Sequence, residues 1–410
     1  MLWLYNIGIQ LYALLIRIFS TFNTKASFFI QGRRNIFARI AQKIDSSQKH
    51  IWFHFASLGE FEQGRSVLEK IKEHYPEKKI VITFFSPSGY EIRKNYALAD
   101  GIFYLPLDTA FNAKKLIAAI NPELAIFTKY EYWYHYFREL NKNNIPLLII
   151  SGIFRPGQVF FKPYGGFHRK MLAYVSHFFV QNQESMTLLK TIDIQNVTLS
   201  GDTRFDRVAA HAHSVKKTNL VQAFCGIQPV LVAGSTWPQD EQLIAKLCKA
   251  HPNWKFIVAP HEIGAAHISE IEKLFPEAVK YSALQTTSDT AVSNQQVLII
   301  DNIGILSTLY AYGKIAYIGG GFGAGIHNTL EAAAFGLPVL FGPRYDKFQE
   351  AKDLIALGAA KSISNGTELS AAFDDLSKNE EAGLIAKDYV NAKTGATDQI
   401  VNYVSGYFKP

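Results

Sequence analysis

Cysteine is nearly absent: the chain of 410 residues holds two, Cys225 and Cys248, with no metal-ligand spacing around either. There is no Cys-x-x-Cys pair and no His-Glu-x-x-His, so neither a structural nor a catalytic zinc is expected. The two thiols read as buried groups in a reducing compartment. Long apolar runs are missing too. Residues 2–16, LWLYNIGIQLYALLI, come nearest, but Asn6 and Gln10 dilute them and Arg17 ends them, short of the roughly 20 residues of a bilayer span. This segment has no basic leader and no small-residue cleavage site, which argues against a signal peptide. Acid is scarce at the start. Arg17, Lys25, Arg33, Arg34, Arg39 and Lys43 all precede the first acid, Asp45. No Asp-x-Asp pair follows a strand where a divalent metal would be held.

What is present is ordinary for a two-domain α/β protein: 48% hydrophobic and 19% charged residues over a length that supports two cores. The net charge of +7 favours an acidic partner, whether phosphate, anionic lipid or nucleic acid. An apolar helix followed by a basic stretch fits anchoring at the cytoplasmic, anionic face of a membrane; the alternative is a helix packed on the protein itself.

From His50 onward, short apolar runs alternate with helical patterns. Strands are expected at 51–57, 79–85, 101–107, 123–129, 145–151, 177–182 and 196–201, then at 229–235, 255–260, 297–301, 314–319 and 338–342. This alternation predicts parallel sheets covered on both faces. The boundaries expected are a membrane-proximal segment 1–44, a first Rossmann-like domain 45–206, a linker 207–225, a second Rossmann-like domain 226–395 and a helical tail 396–410. Residues 282–296, SALQTTSDTAVSNQQ, read as an exposed loop. In such folds ligands bind beyond the carboxyl ends of the strands, and here a cleft between the two domains is the expected place.

The turns after the strands hold the candidate chemistry. Glu60 ends Ser57-Leu58-Gly59-Glu60 after the first strand. At a helix N-terminus the dipole favours its ionised form, which suits a general base, or else it is a plain capping glutamate. Glu131 and Trp133, in Lys129-Tyr130-Glu131-Tyr132-Trp133, combine a carboxylate and a ring for sugar recognition; equally, Trp133 covers a helix. Arg155 suits phosphate or carboxylate, and Gly201-Asp202-Thr203-Arg204-Phe205-Asp206 closes the first domain. In the second, Ser235 and Thr236 open a helix that either holds a phosphate or is merely capped. His261 sits at the next strand end, to donate to a phosphate or to pack at a cleft edge. The stretch Tyr317–Pro343, YIGGGFGAGIHNTLEAAAFGLPVLFGP, is the most distinctive. Its glycines at 319, 320, 321, 323 and 325 allow positive φ and close approach of a ligand. Asn328 and Glu331 lie three apart, on one face of the helix that follows. The stretch is either a nucleotide-sugar pocket or a tight connection that binds nothing. It lacks the acidic residue about 20 positions on that an NAD site uses, because Phe341-Gly342-Pro343 stands there.

These pieces, in this order over about residues 30–360, resemble the 3-deoxy-D-manno-oct-2-ulosonic acid (Kdo) transferases, membrane-associated glycosyltransferases of lipopolysaccharide assembly. The resemblance rests on Ser57-Leu58-Gly59-Glu60, Glu131-Tyr132-Trp133, Gly201 to Asp206, Gly234-Ser235-Thr236, Ala259-Pro260-His261, and Gly319-Gly320 through His327-Asn328-Thr329-Leu330-Glu331 with Phe341-Gly342-Pro343. It implies a GT-B fold of two Rossmann-like domains facing across a cleft, with an N-terminal membrane-associated helix. It also implies CMP-Kdo as donor, a lipid A precursor such as lipid IVA as acceptor, and inversion without an essential metal or other cofactor. The expected place is an anionic membrane surface, the cytoplasmic face of the inner membrane, with no nucleic acid as partner. Carried onto this chain, Glu60 is the base. Ser235, Thr236, His261, Gly320, Asn328 and Glu331 bind the donor, and Glu131, Trp133, Arg155 and Arg204 lie at the acceptor side or cleft. The chain departs from the pattern at Lys129, where the family has a glutamate, and at His261-Glu262, in place of Arg-His. It also departs at Ile305, in place of a glutamate, and at Gly325-Ile326-His327, in place of Gly-Gly-His. Two other readings stand beside this one. One is an enzyme of the same fold, glycosyltransferase or epimerase, using a UDP- or GDP-sugar. The other is a non-catalytic, membrane-recruited module for polyanions.

Overall fold

A strand covered on both faces must be apolar throughout, and β1 (His50–Phe55) is buried at every position. In the computed structural model, which describes residues 1–284 and 293–408, β1 lies near the middle of a seven-stranded sheet. The order is β3-β2-β1-β4-β5-β6-β7, with β2 (Lys79–Phe84), β3 (Gly101–Tyr104), β4 (Pro122–Thr128), β5 (Leu147–Gly152), β6 (His177–Val180) and β7 (Val197–Leu199). Each neighbouring pair is parallel. The chain builds outward from β1 in one direction, then returns and builds outward in the other from β4. The carboxyl ends of β1 and β4 therefore flank the sheet's topological switch point.

A second parallel sheet of seven strands repeats the plan in the order β10-β11-β9-β8-β12-β13-β14. Its strands are β8 (Val230–Thr236), β9 (Lys255–Pro260), β10 (Val279–Lys280), β11 (Val297–Ile299), β12 (Ile315–Ile318), β13 (Val339–Phe341) and β14 (Ala360–Ser362). Here the switch point lies between β8 and β12. The twelve strands expected from sequence are present. The two that periodicity did not reveal, β10 and β14, are the edges of this sheet and only two and three residues long, too short to carry an alternation. Part of the expected loop 282–296 lies outside the described residues, at 285–292.

The chain divides into two compact units, Met1–Asp206 with Thr394–Pro410, and Arg207–Lys393. The segment 207–225, expected as a linker, is largely helical, in Thr203–Ser214 and Asn219–Cys225; its alanines, histidines and lysines hide the apolar period. The C-terminal helix Ala396–Val404 returns to the first unit. Ile400, Val401 and Val404 are buried among Phe53, Phe55 and Phe61. Its start is fixed by Asp206, whose carboxylate accepts the N–H groups of Gly395 and Thr397. That helix packs on helix Leu58–His74, which carries Glu60.

The apolar N-terminal segment is a helix, Leu2–Phe19, with a mean hydropathy of 1.5 and the length and composition to cross a membrane. One side packs on the first unit. Leu2 and Tyr5 join its core, the Tyr5 hydroxyl donates to Asp108, and Asn6 meets His135 Nε2 at 2.7 Å. Trp3, Ile7, Leu11, Leu14 and Ile18 are exposed along the other side.

Candidate active site

In the first unit, Ser57 precedes helix Leu58–His74 in extended backbone, and Glu60 falls in its first turn. The Ser57 hydroxyl donates to Glu60 Oε2 at 3.1 Å. Burial, then the nearby charge of Glu131, push the Glu60 carboxyl up to about 6, against weaker lowering by Ser57 and Lys129. A carboxyl that changes charge there is poised to take a proton near neutrality. Glu131 follows β4, so the two acids stand at the two strand ends of the switch point. Glu131 is 9% exposed; its Oε2 accepts from Trp133 Nε1 at 2.9 Å and lies 3.0 Å from His54 Nε2.

Trp133 is thus held by Glu131 and packs on Phe85, with ring centroids 4.9 Å apart. Lys129, between β4 and Glu131, takes a left-handed backbone, φ 60°, and so sits in a strained turn. Arg155 is exposed and bonds the Tyr130 hydroxyl, which also feels Glu60. Glu60, Glu131, Trp133 and Arg155 are therefore brought together. The Arg204 guanidinium is held by Asp202: Nε and Nη2 both reach Asp202 Oδ2, at 2.8 Å each.

In the second unit, Ser235, the next-to-last residue of β8, has φ 54°, and the loop after β12 presses against it. A Cβ on Gly319 would stand 2.3 Å from the Ser235 carbonyl oxygen, and Gly320 has φ +90°; only glycine serves at either. Thr236 is fully buried, and its hydroxyl donates to Glu241 Oε1 at 3.0 Å. Its side chain therefore turns inward, while Ser235 stays partly exposed. The His261 ring is near-parallel to two others, those of Trp237, with centroids 5.0 Å apart, and His327, 4.4 Å apart. Trp237 Nε1 donates to His327 Nε2 at 3.3 Å. Burial and His261 both lower the basicity of the His327 imidazole.

Asn328 and Glu331 do meet. Asn328 Nδ2 donates to Glu331 Oε1 at 3.1 Å, and its Oδ1 accepts from the Leu330 amide at 3.0 Å. Arg207 Nη2 reaches the same Glu331 oxygen at 3.3 Å. The helix they were expected to share is short, Leu330–Ala334, and Asn328 stands just before it.

Sequence reasoning passed over His54, Trp237 and the ring contacts of His327, and also Asp240, in the first turn of helix Pro238–Ala250. Asp240 was findable. An acid two residues after Pro238 is a helix-start signal, and the Asp240 carboxylate does accept the Trp237 amide, at 2.9 Å. His54 was not, because one partner, Thr83, comes from a neighbouring strand and the other, Glu131, from the loop after β4. Among the described residues no group of three or more His, Cys, Asp or Glu is placed to hold a metal ion.

Comparison with solved structures fits the same frame. UDP-GlcNAc 2-epimerase from Neisseria meningitidis superposes with a TM-score of 0.61, over 87% of this chain and 100% of that one, at 16% identity. A glycosyltransferase from Rickettsia africae gives a TM-score of 0.56 over 88% of this chain and 99% of that one, at 12% identity. Two parallel seven-stranded sheets with these neighbours define the GT-B class of fold. In sequence, residues 31–207 match the family described as 3-Deoxy-D-manno-octulosonic-acid transferase (kdotransferase). The 3-deoxy-D-manno-octulosonic acid transferase of Aquifex aeolicus is 27% identical over 334 residues, 80% of this chain and 85% of that protein. Within the GT-B class, then, this chain is a relative of the Kdo transferases, as its motifs indicate.

Proposed function

We propose that the chain transfers Kdo from CMP-Kdo to a hydroxyl of a lipid A precursor such as lipid IVA, in lipopolysaccharide core assembly. The transferred sugar is the one its relatives are named for, and the donor and acceptor follow the resemblance of its motifs; the chemistry is carried by one observation, the half-buried Glu60 beside Glu131 at the switch point of the first sheet. Glu60 as carboxylate takes the acceptor hydroxyl proton. The acceptor oxygen forms the new bond to the anomeric carbon, the bond from that carbon to the CMP phosphate breaks, and CMP leaves with its electrons. Attack opposite the leaving group inverts the anomeric centre.

Glu131 and Trp133 line the acceptor side, where Arg155 supplies a cation for an acceptor phosphate or for the Kdo carboxylate. The donor is held in the second unit by the amides around Gly320, by Ser235 and His261, with Thr236 shaping the turn. Asn328 orients Glu331 toward the ribose hydroxyls. No metal is needed for these steps. The protein works at the cytoplasmic face of the inner membrane, the exposed side of helix Leu2–Phe19 lying in the lipid interface and the exposed basic residues Arg17, Lys25, Arg34 and Lys43 meeting anionic headgroups.

Product mass analysis after incubation with CMP-Kdo and lipid IVA tests the reading. An acceptor heavier by one or more Kdo units, formed equally in chelator, is expected; no Kdo product would overturn it. Thermal shifts with CMP, UDP and GDP test the donor, since only a bound nucleotide stabilises the native state. A preference for UDP or GDP would favour a different sugar-nucleotide enzyme, and salt-sensitive polyanion binding without turnover a non-catalytic module.

A further inference from the structure

His54 is buried in β1, fully covered, and its ring joins two strands. Nδ1 lies 2.8 Å from Thr83 Oγ1 and 3.1 Å from the Thr83 carbonyl oxygen; Nε2 lies 3.0 Å from Glu131 Oε2. Thr83 is its register partner on β2. Thr83 Oγ1 also accepts from Trp52 Nε1 at 2.8 Å. The Phe127 ring, 4.8 Å away, covers the imidazole from β4.

The protons in this row can be counted. An indole N–H only donates, so Trp52 occupies a lone pair of Thr83 and leaves the Thr83 hydroxyl proton free to donate. A carboxylate only accepts, so Glu131 requires a proton on His54 Nε2. A neutral imidazole has one N–H; with it on Nε2, Nδ1 is a lone pair and takes the Thr83 hydroxyl proton. Every donor then has one acceptor, in the row Trp52, Thr83, His54, Glu131, with Trp133 donating to Glu131 from the other side. The opposite tautomer, Nδ1–H toward the Thr83 carbonyl, would set the Nε2 lone pair against Glu131 and call a further proton into the pair.

We propose that Thr83, acting through the tautomer of His54, is a positioning residue that keeps Glu131 a carboxylate beside the base Glu60. Glu131 in turn is the negative neighbour that makes Glu60 a stronger base. The proposal rests on the reading of Glu60 as the base. The other groups that bear on Glu60 are Ser57 and Lys129, and Tyr130, which is bonded to Arg155; none of them belongs to the row, so its effect is separable. If the Thr83 hydroxyl is removed, Nδ1 is left with only the carbonyl and binds a proton. Whether that proton makes an imidazolium or ends with Glu131 protonated, one negative charge beside Glu60 is cancelled.

The test compares full-length wild type, Thr83→Val, Thr83→Ser and Glu131→Gln. Activity with CMP-Kdo and lipid IVA is followed against pH, and the histidine nitrogens are read by NMR in 15N-histidine protein, His54 being assigned by its loss in His54→Gln. Wild type at neutral pH is expected to show His54 protonated at Nε2 alone. Thr83→Val is expected to gain a proton at Nδ1 and to move the acid limb of kcat/KM down by roughly one pH unit, in the same direction as Glu131→Gln. Thr83→Ser is expected to behave as wild type. An Nδ1–H tautomer in the wild type, or a Thr83→Val acid limb and tautomer both unchanged, would overturn the proposal. The wild-type tautomer is readable without turnover and needs no variant to fold. A protein that fails to transfer Kdo would thus sink the functional reading, while the proton on His54 would still decide this one.

Discussion

Asp240 Oδ2 accepts the amide N–H of Gly320, eighty positions later in the chain, at 3.0 Å. The same oxygen accepts the Trp237 amide at 2.9 Å, and Oδ1 accepts the Tyr317 hydroxyl at 2.7 Å. One buried carboxylate thereby ties the start of the helix after β8 to the glycine loop after β12, across the switch point of the second sheet. Donor affinity is therefore expected to depend on a residue that need not touch the donor. Asp240→Asn turns an N–H group toward these donors and is expected to cost roughly 1–3 kcal/mol of stability. CMP affinity, measured by calorimetry, should fall with it. Unchanged CMP binding in a destabilised protein would show that the loop holds its shape without this anchor.

The glycine run contains positions of different strictness. Gly319→Ala would put a methyl 2.3 Å from the Ser235 carbonyl oxygen and 2.6 Å from Thr236 Cα, both backbone, whereas a Cβ on Gly323 would find its nearest neighbour at 3.6 Å. Gly319→Ala is expected to lower the melting temperature and weaken CMP binding at least tenfold, because backbone cannot step aside as a side chain can. Gly323→Ala is expected to stay within about 0.5 kcal/mol of wild type. Equal behaviour of the two variants in thermal melts and nucleotide titrations would contradict this ranking.

The same residues show how far sequence carries. Alternating apolar runs yielded the strands because β1, β2 and β4 are apolar nearly throughout; parallel strands need no partner to be recognised. Glu60, Glu131 and the glycine loop were legible because they follow strands, where such sheets place their ligands. What register and three-dimensional packing create was hidden. Thr83 bonds His54 only because β1 and β2 pair in that register, and the stack of Trp237, His261 and His327 joins three separate loops. Arg204 was expected at the acceptor side or cleft, and nothing in its spacing announces that Asp202, two residues away, takes its guanidinium.

The N-terminal helix poses a choice that its contacts sharpen. Tyr5 and Asn6 are tied to Asp108 and His135 of the first unit, while Leu11 is 53% exposed on the other side. A helix held along one side by the protein and bare on the other suits lying in an interface. Leu11→Glu is expected to reduce cosedimentation with anionic vesicles severalfold without changing the melting temperature. Tyr5→Phe, which takes a donor from the buried Asp108, is expected to lower the melting temperature and leave vesicle binding nearly intact. Vesicle binding indifferent to Leu11→Glu would remove this side of the helix from the membrane surface.

Glu60 sets catalysis and stability against each other. Its carboxyl titrates at about 6 in the folded protein, against an ordinary 4.5, chiefly through burial and then Glu131. The folded state thus holds this proton more tightly than the unfolded chain does. The stabilisation is complete below the ordinary value and is lost as pH rises through about 6. The working form of the base is the carboxylate, so activity moves the opposite way. The acid limb of kcat/KM should bend near pH 6, with a tenfold loss per unit below it. Glu60→Gln removes the base and the buried charge together. It is expected to lower kcat by about 10²–10⁴-fold with CMP affinity unchanged, and to raise the melting temperature at pH 7.5 but not at pH 4.5. Near-wild-type turnover in this variant would remove Glu60 from the chemistry. A melting-temperature change that ignores pH would mean that the charge of Glu60 is not what the fold resists.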